Sequence, residues 1–600
     1  MATAEASKIG SHAGGEPGRS RRWAWPGLTV VLLGGLGLRL WGVRQGLPYA
    51  YNVDEAEHFV PHAVEMFQQG TLNPHYFANP PAFTYLLHFL FDLWYGGAPG
   101  AVHALALHPE AVYTLARVAA ALLGTAALWL LYVTGARLFN RGVGLLAAAI
   151  EAVAFLPVFY AHLALNDVPT LAPLTLSLLG TAGVLQKGRK RDYLLAGIGL
   201  GLACASKYTA GIVVLPLLAA TATRYLTVAP HTRASLLGRR ALGGLVLAGA
   251  SALLAFLIAN PYAVLDYAEF HAELIHQSTL SAEAQGKLGA PKEGGFAYYL
   301  WSLAWGLGWV PALAALGGAL TVWRKDQRLG WLLVPAPLLF LAFMGLQGRY
   351  FGRWLLPIFP ILCLLSAFFA LRLAEILARR LPRLRVVAAA LLVAALLAQG
   401  LVYSVHSGLV LARADTRNLT RTWMLAHIPA GAKIVAEPVE PEEWAREVEP
   451  GTSTASNPYR WPLYPTLFLR IAPGGSIAPA FIHEVGIENY ETTLYPALID
   501  FYEREGYCWV ITGSTESGRA FADRKAVPGA IAYYKALAEQ GEVVYRASPY
   551  ARGQGPVAFD FDWSFDFYPL AYYRPGPEMT IYRLYGDRCG RPAGPPAERG

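Results

Sequence analysis

Charge and cysteine are scarce in this chain of 600 residues, and both shortages narrow its class. Charged residues make up 15% of the sequence and hydrophobic residues 54%, a balance that excludes an ordinary soluble protein. Four cysteines exclude a disulfide framework, although Cys508 and Cys589 can pair if the polar C-terminal part lies outside the cytoplasm. The net charge of +8 does not indicate nucleic acid, because the basic residues form short clusters between apolar runs.

Long apolar runs fill the chain as far as residue 405. A helix that crosses a bilayer needs about 20 mainly apolar residues, and the runs predict about eleven spans. The first run is interpreted as a retained signal anchor, because it is longer than a signal-peptide core and has no clear cleavage site. The fifth run is short, which favours a broken or re-entrant segment. The predicted spans lie near 23–43, 111–136, 142–161, 169–186, 193–205, 208–223, 241–259, 297–322, 330–347, 354–376 and 386–405.

Basic clusters between the runs set the predicted orientation, since Lys and Arg prefer the cytoplasmic side. With eleven spans, all the clusters fall on the side of the N-terminus. They lie at 19–22, 137–141, 187–191, 233–240, 324–328 and 379–385. The sequence therefore predicts an integral protein of a bacterial plasma membrane, with a cytoplasmic tail at 1–22, a membrane domain at 23–405 and an extracytoplasmic domain at 406–600.

Two long segments of the membrane domain are predicted on the outer side. Segment 44–110 has amphipathic stretches around 56–68 and 81–95, which are typical of short helices along the membrane interface. Segment 260–296 is polar with scattered glycine, and we interpret it as a mobile flap.

From residue 406 onward the composition changes, because charge, proline and turn residues rise and apolar runs shorten to strand length. Strands are predicted at 433–437, 507–512, 542–547 and 579–585, and helices at 413–427 and 530–540. The predicted fold class is a polytopic α-helical membrane protein with a C-terminal extracytoplasmic α/β domain.

Carboxylates stand on the predicted outer side at two places. Asp54 and Glu55 follow the first span closely, where charge is costly unless it lies in water or takes part in chemistry. The alternative is a solvated pair, or an ion pair with Arg39 or Arg44. Asp167 lies in a short loop at the same predicted depth, and the alternative there is a helix N-cap.

Cations also stand on that predicted outer side, although Lys and Arg prefer the cytoplasmic side. Arg349 and Arg353 lie at the outer mouth of two spans, which suggests an anionic partner, and Arg donates two hydrogen bonds to phosphate from one planar group. The alternative is contact with lipid headgroups. Lys207, at the outward turn after the fifth span, fits the same description. His271 and His276 are spaced poorly for one helical face, so we expect no metal there.

Four segments together carry a resemblance. They are Asp54-Glu55-Ala56, the Asn-Pro-Pro-Ala-Phe-Thr-Tyr-Leu-Leu stretch at 79–87, Asn166-Asp167, and Arg353-Trp354-Leu355-Leu356-Pro357. In this order and sidedness they resemble the GT-C class of membrane glycosyltransferases, closest to the protein O-mannosyltransferase and aminoarabinose transferase group. Two positions depart from that pattern. Asn79 stands where family members often have His or Lys, and Trp354 replaces the usual Tyr.

The resemblance implies a glycosyltransferase that moves a hexosyl or pentosyl group from a polyprenyl-phosphate donor to a hydroxyl of a lipid, polysaccharide or protein. In this hypothesis Asp54 is the general base of an inverting displacement, and Glu55 and Asp167 orient the acceptor or tune the base. Donor-phosphate binding falls to Lys207, Arg349 and Arg353. Membrane lipids are the other expected partners, and no metal, cofactor or nucleic acid is expected.

Two other classes remain open from the sequence. A transporter or lipid flippase shares the multispan body, but it is expected to show inverted repeats and charges near the midplane. No repeat is found, and ionisable residues sit at span ends apart from Glu151 and Arg117. A non-catalytic subunit of a membrane complex is the other alternative, with the C-terminal domain binding a partner.

Overall fold

The computed structural model of this chain describes most of the sequence. The predicted cytoplasmic tail lies mostly outside the described residues, as does much of the basic cluster at 233–240. The described residues are 17–226, 238–282, 288–290, 292–438, 442–447, 458–464, 467–471, 477–481, 487–560 and 567–590.

The part before residue 412 is helical. Its first half contains α1 (Pro17–Leu40), α2 (Val60–Gln69), α3 (Ala82–Tyr95), α4 (Ala98–Leu107), α5 (Pro109–Leu138), α6 (Arg141–Val153), α7 (Phe155–Phe159), α8 (Leu171–Gln186), α9 (Lys190–Ser206) and α10 (Val214–Leu226). Its second half contains α11 (Gly238–Ala259), α12 (Tyr262–Leu265), α13 (Tyr267–Ala282), α14 (Gly295–Leu303), α15 (Trp309–Lys325), α16 (Gln327–Leu333), α17 (Pro335–Gly345), α18 (Phe359–Arg380) and α19 (Arg385–Leu411).

Several of these helices are long and apolar enough to cross a membrane. Within the described residues 6 helices meet this condition, or 7 if the bent pair α6 and α7 counts as one span. The other predicted spans correspond to α1, whose apolar part is the shorter stretch Trp25–Leu40, and to α8, α9 and α10, which have 16, 17 and 13 residues. Large apolar side chains are exposed along α11, as Leu242, Val246 and Leu253 illustrate, and such a surface suits lipid rather than water. The chain is a helical polytopic membrane protein.

The broken span is not the one that the sequence predicted. The run at 193–205 forms the unbroken helix α9, whereas α6 and α7 meet at an angle of 62°. Pro157 explains the break, because its ring clashes with the carbonyl of residue 153 and it has no N–H to donate there. The chain then continues through a short 3₁₀ turn, Tyr160–His162, into the loop that carries Asp167.

Both segments that were predicted on the outer side contain helices within the described residues. Segment 44–110 contains α2, α3 and α4, in agreement with the two predicted amphipathic stretches. The predicted flap contains α12 and α13, and the Asp266 carboxylate accepts a hydrogen bond from the Glu269 N–H, 3.4 Å away, at the start of α13. Beyond α13, Leu288 is buried in the core of the C-terminal domain, so the flap segment is fixed to that domain at its far end.

The C-terminal domain is built on a sheet whose four strands lie close to the predicted positions, and the structure shows that this sheet is mixed. β1 (Lys433–Ala436), β4 (Tyr507–Gly513), β6 (Met579–Arg583) and β5 (Glu542–Ala547) lie side by side in that order, and only the β1–β4 pair is parallel. β2 (Leu467–Ile471) and β3 (Ile477–Phe481) form a separate antiparallel pair. The helices are α20 (Thr416–His427), α21 (Ala497–Glu505), α22 (Ser514–Ala522) and α23 (Pro528–Gln540).

One contact fixes this domain internally, and another joins it to the membrane part. Cys508 and Cys589 form a disulfide with their Cα atoms 5.3 Å apart, which settles the pairing that the sequence left open. Asn418 of α20 donates from its side chain to the carbonyl of Gly46, 3.0 Å away, at the start of the first outer segment. The C-terminal domain therefore contacts the start of the first outer segment.

Candidate active site

A cavity of about 380 Å³ opens between the first outer segment, the Asp167 loop, helix α13 and the turn before α18. Its polar side is formed by Asp54, Asn79, Asp167, Lys207 and Arg353. Its apolar side includes Leu274, Phe343, Met344 and Trp354. The cavity lining therefore combines charged groups with apolar side chains.

Charged groups of opposite sign alternate at the polar end. Arg353 Nη2 donates to Asp54 Oδ2 across a separation of 299 residues, and Arg353 Nε lies 3.9 Å from Asp167 Oδ2. Lys207 Nζ donates to Asp167 Oδ1. The Asp54 side chain is 35% exposed but that of Asp167 only 4%, so Asp54 faces the open space while Asp167 anchors the cations from beneath.

Local structure brings Asp167 beside Lys207. Asn166 donates from its side-chain amide to the carbonyl of Ser206, 2.6 Å away, at the end of α9. Lys207 is the extended residue that ends that helix. Helix α8 starts at Leu171, after Thr170, and the Asp167 carboxylate is used in ion pairs. The alternative of Asp167 as the N-cap of this helix is therefore wrong.

Glu55 is separated from the cavity although it adjoins Asp54. Its carboxylate accepts two hydrogen bonds of 2.7 Å from Arg117, and both side chains are fully buried. Glu55 Oε1 also accepts from the N–H of Ala164, 2.8 Å away, three residues before Asp167. The alternatives of Arg39 or Arg44 as the partner of Glu55 are wrong, because Arg117 holds that position.

Arg117 is a fully buried residue whose role the sequence shows only as a charge inside a predicted span. Besides its bonds to Glu55, it donates to the carbonyls of Val43 and Gln45 at 2.9 and 2.8 Å, just after α1. It therefore joins the end of the first span, the first outer segment and the Asp167 loop. An isolated arginine within an apolar run was the signal that could have identified it.

Arg349 is not among the residues that line the cavity. Its backbone N–H donates to the carbonyl of Ser281 at 3.3 Å, as the N–H of Gly348 does at 3.1 Å. Ser281 itself lines the cavity on helix α13. Of the three predicted donor-binding cations, the structure thus brings Arg353 and Lys207 together, while the turn around Arg349 holds the flap helix.

Asn79 lies at the cavity within an aromatic and amide cluster. Its side-chain amide donates to the hydroxyl oxygen of Tyr76, 2.6 Å away. The rings of His58 and His62 stack on Tyr76 with centroids 4.7 and 4.9 Å apart. Burial raises the pKa of Tyr76, which keeps the phenol neutral. Asn79 and Tyr76 are therefore both neutral, at the place where the family pattern described above often has His or Lys.

One group among the described residues brings possible metal-ligand atoms together. Ligand atoms of His75, Asp266 and Glu269 all lie within 4.8 Å of one another, and the three residues do not line the cavity. His75 Nδ1 lies 2.9 Å from Glu269 Oε2, so the same atoms also join the first outer segment to the flap. Glu273 accepts hydrogen bonds from the N–H groups of Phe77 and Ala78, so it serves the same junction.

Comparison with known proteins places these residues in a family context. Residues 105–263 match the family model described as dolichyl-phosphate-mannose-protein mannosyltransferase. No curated protein sequence matches the chain.

Three solved structures are similar to this chain at low identity. The apo Archaeoglobus fulgidus oligosaccharyltransferase has 12% identity and a TM-score of 0.46, over 84% of this chain and 71% of its own. ArnT from Cupriavidus metallidurans bound to undecaprenyl phosphate has 14% identity and a TM-score of 0.41, over 96% and 100%. The S. cerevisiae protein O-mannosyltransferase Pmt1–Pmt2 complex bound to the sugar donor has 19% identity and a TM-score of 0.32, over 42% and 34%.

These TM-scores are too low to transfer residue roles, so the site is interpreted from its own residues. The family match is independent of them and covers α5 to α11, including Arg117, Asp167 and Lys207. Over residues 105–263 the chain therefore matches the dolichyl-phosphate-mannose-protein mannosyltransferase family, which confirms the resemblance that its sequence motifs predicted.

Proposed function

We propose that this protein is a membrane glycosyltransferase that moves a sugar from a polyprenyl-phosphate donor to a hydroxyl acceptor with inversion. One observation carries the proposal. Two carboxylates and two cations from four separate segments meet in a cavity whose lining also includes apolar side chains, among them Leu274, Phe343 and Met344. The description of the matched family, which names a dolichyl-phosphate sugar, supports this class of donor.

The cavity lining suits both the phosphate and the hydrocarbon chain of a lipid phosphate. Arg353 and Lys207 provide a guanidinium and an ammonium group within one cluster, where a phosphate oxygen gains charge-assisted hydrogen bonds. Leu274, Phe343 and Met344 also line the cavity, and their apolar side chains match the hydrocarbon of a polyprenyl chain. The proposed donor phosphate therefore lies at the polar end with its lipid along α13 and α17.

The proposed reaction is a single displacement. The acceptor oxygen attacks the anomeric carbon, and its proton passes to Asp54 Oδ as the bond from that carbon to the phosphate oxygen breaks. The leaving phosphate keeps the bonding electron pair, and Arg353 and Lys207 stabilise its growing negative charge. A positioned base contributes about 10²–10⁴-fold to such a rate.

Arg353 contacts carboxylates before the donor arrives. In this proposal its contact with Asp54 and its binding of the donor phosphate are therefore coupled. It contacts Asp54 directly and Asp167 at 3.9 Å, so an incoming phosphate competes with both for the guanidinium. When Arg353 turns to the phosphate, Asp54 loses a positive neighbour and becomes available to the acceptor proton. Asp167 is proposed to retain Lys207 and orient the cations.

The other predicted site residues take supporting roles in this proposal. Glu55 holds the Asp167 loop through the N–H of Ala164 and does not reach the acceptor. Arg349 holds helix α13 through the backbone of its turn, and its guanidinium is proposed as a secondary attraction for the donor. The acceptor is proposed to approach from the exposed side of Asp54, and a lipid, polysaccharide or protein hydroxyl meets this requirement.

The proposed topology has eleven spans, with α1, α8, α9 and α10 crossing as shorter helices beside the longer ones. The N-terminus is then cytoplasmic, and the cavity and the C-terminal domain lie on the outer side. The Cys508–Cys589 disulfide supports an oxidising compartment for that domain.

The experiment is an Asp54→Asn variant of the purified protein, supplied with a polyprenyl-phosphate sugar and hydroxyl acceptors of the three classes. We expect turnover to fall by about 10²–10⁴-fold while the folded protein still binds the lipid phosphate. Glu57→Gln is the matched control, because Glu57 is exposed, lies on the same helical turn and does not line the cavity.

Turnover near the wild-type level in a folded Asp54→Asn protein would remove Asp54 as the base. Movement of labelled lipid across vesicles by a wild-type protein that transfers no sugar would instead favour a flippase. No sugar transfer together with stoichiometric co-purification in a complex would favour a non-catalytic subunit.

A further inference from the structure

The break between α6 and α7 leaves three backbone carbonyls without their helical partners. In an unbroken helix the carbonyls of residues 151, 152 and 153 accept from the N–H groups of residues 155, 156 and 157. Residue 157 is proline and has no N–H, and the 62° bend carries α7 away from the axis of α6. Unsatisfied carbonyls are costly in a membrane, so other donors are required.

Two side chains from distant spans supply these donors. Arg39 of α1 donates from Nη1 to the carbonyl of Ala152 at 3.1 Å and from Nη2 to that of Glu151 at 3.4 Å. Ser404 of α19 donates from Oγ to the carbonyl of Val153 at 2.9 Å. All three carbonyls that the break exposes are therefore satisfied by these two side chains.

Both donors are built into the packing of the spans. Arg39 is 1% exposed and Ser404 is fully buried. A Cβ atom on Gly400, one turn before Ser404, would come 2.7 Å from the Val153 carbonyl oxygen, so glycine lets α19 approach the break. Glu151 is also buried, and its two carboxylate oxygens have no hydrogen-bond partner among the described residues.

The segment that follows the break leads directly to the cavity. His162 Nε2 lies 3.0 Å from the carbonyl oxygen of Trp41, which ties the segment again to the end of α1. Val168, next to Asp167, packs on Gly124, where an added Cβ would come 2.6 Å from Val168 Cγ1 and 3.2 Å from Arg39 Nε. Arg39 thus lies beneath the loop that presents Asp167 to Lys207.

We infer that Arg39 and Ser404 are positioning residues for the transfer reaction: they hold the broken span at Ala154 and so set the place of Asp167 beside the donor-binding cations. Neither side chain lines the cavity, so both act only through the backbone of α6 and the Asp167 loop. The inference rests on the proposed function for its consequence and on the three carbonyl bonds for its geometry.

The test compares Ser404→Ala with Ser407→Ala in the purified full-length protein. Ser407 lies on the same helix and is 4% exposed, and its hydroxyl has no hydrogen-bond partner among the described residues. Ser404→Ala is expected to weaken polyprenyl-phosphate binding and raise the donor KM by about tenfold, with the acceptor KM unchanged. Ser404→Thr keeps the Oγ donor and should restore the donor KM, whereas Ser407→Ala should match the wild type.

The arginine is tested in the same way, with Arg39→Met against Arg44→Met, since Arg44 is exposed near the end of the same helix. Arg39→Met loses both bonds to the carbonyls of the break, and we expect about a hundredfold loss of donor affinity, with partial recovery in Arg39→Lys. If Arg39→Met does not fold, the comparison of Ser404→Ala, Ser404→Thr and Ser407→Ala tests the inference by itself.

Equal donor binding in Ser404→Ala and Ser407→Ala would overturn the inference. So would a drop in acceptor affinity with donor affinity intact. A wild-type protein that binds polyprenyl phosphate and transfers no sugar would contradict the proposed function alone, because binding of the lipid still reports on the positioning. A wild-type protein that binds no polyprenyl phosphate would overturn both.

Discussion

Removing the Glu55 carboxylate tests how far the active site depends on one buried ion pair. Glu55→Ala deletes two hydrogen bonds of 2.7 Å to Arg117 and leaves that guanidinium fully buried without its counter-charge. Breaking one side of such a pair costs about 3–5 kcal/mol. The N–H of Ala164 also loses its acceptor, which adds about 1–3 kcal/mol unless the loop moves.

These magnitudes are large beside the total stability of a folded domain, which is about 5–15 kcal/mol. We therefore expect a clear fall in the midpoint of thermal unfolding in detergent, and a loss of transfer activity because the Asp167 loop is no longer held. Arg117→Ala should be at least as damaging, because the carbonyls of Val43 and Gln45 also lose their hydrogen-bond donor.

The double variant is the decisive measurement. Because each single variant already loses the shared interaction, Glu55→Ala with Arg117→Ala should be less damaging than the sum of the two, by about 2 kcal/mol or more. Glu57→Gln, two positions along the same turn but exposed, should leave unfolding unchanged. Additive effects of the two single variants, or a Glu55→Ala protein that unfolds and turns over like the wild type, would refute the assignment of Glu55 as a positioning residue.

Three further changes test other parts of the molecule. Arg353→Lys keeps the charge but loses the planar fork that contacts two carboxylates at once, so we expect donor turnover to fall at least about tenfold in steady-state assays; unchanged kinetics would show that charge alone suffices. Opening the Cys508–Cys589 disulfide, by serine substitution or by reductant, should destabilise the C-terminal domain by about 2–5 kcal/mol in denaturant unfolding, and equal midpoints with and without reductant would contradict this. Burial raises the pKa of Glu516 from 4.5 to about 7, so the folded domain holds a proton that the unfolded chain has released. Stability should therefore decrease as pH rises from about 4.5 to 7, and Glu516→Gln should flatten that slope; an unchanged slope in the variant would assign the proton to another group.

The charged residues of the site could be identified from the sequence because membrane segments leave few places for charge. Asp54, Asp167, Lys207 and Arg353 all stand at the ends of apolar runs, and they meet in one cavity. Their grouping followed from span counting and the sidedness of basic clusters, both of which depend on composition along the chain. The helices of segment 44–110 and the four strands of the sheet were predictable for the same reason, since local periodicity defines them.

Other features depended on partners that local sequence does not reveal. Glu55 adjoins Asp54 but turns into the bundle, because its partner Arg117 lies 62 residues away on α5. Arg349 and Arg353 share one turn, yet only Arg353 enters the cavity.

By itself the sequence predicted which segments are apolar enough to enter a membrane, which charges stand at the ends of those segments and which family the segments resemble, because hydrophobicity and charge act locally along the chain. Only the tertiary structure decided which of two neighbouring carboxylates faces the cavity and which span breaks. The carbonyls of that break find their donors more than a hundred residues away, on α1 and α19. Such choices are made by packing and by the need to pair every buried polar group, and those partners become known only when distant segments are brought together.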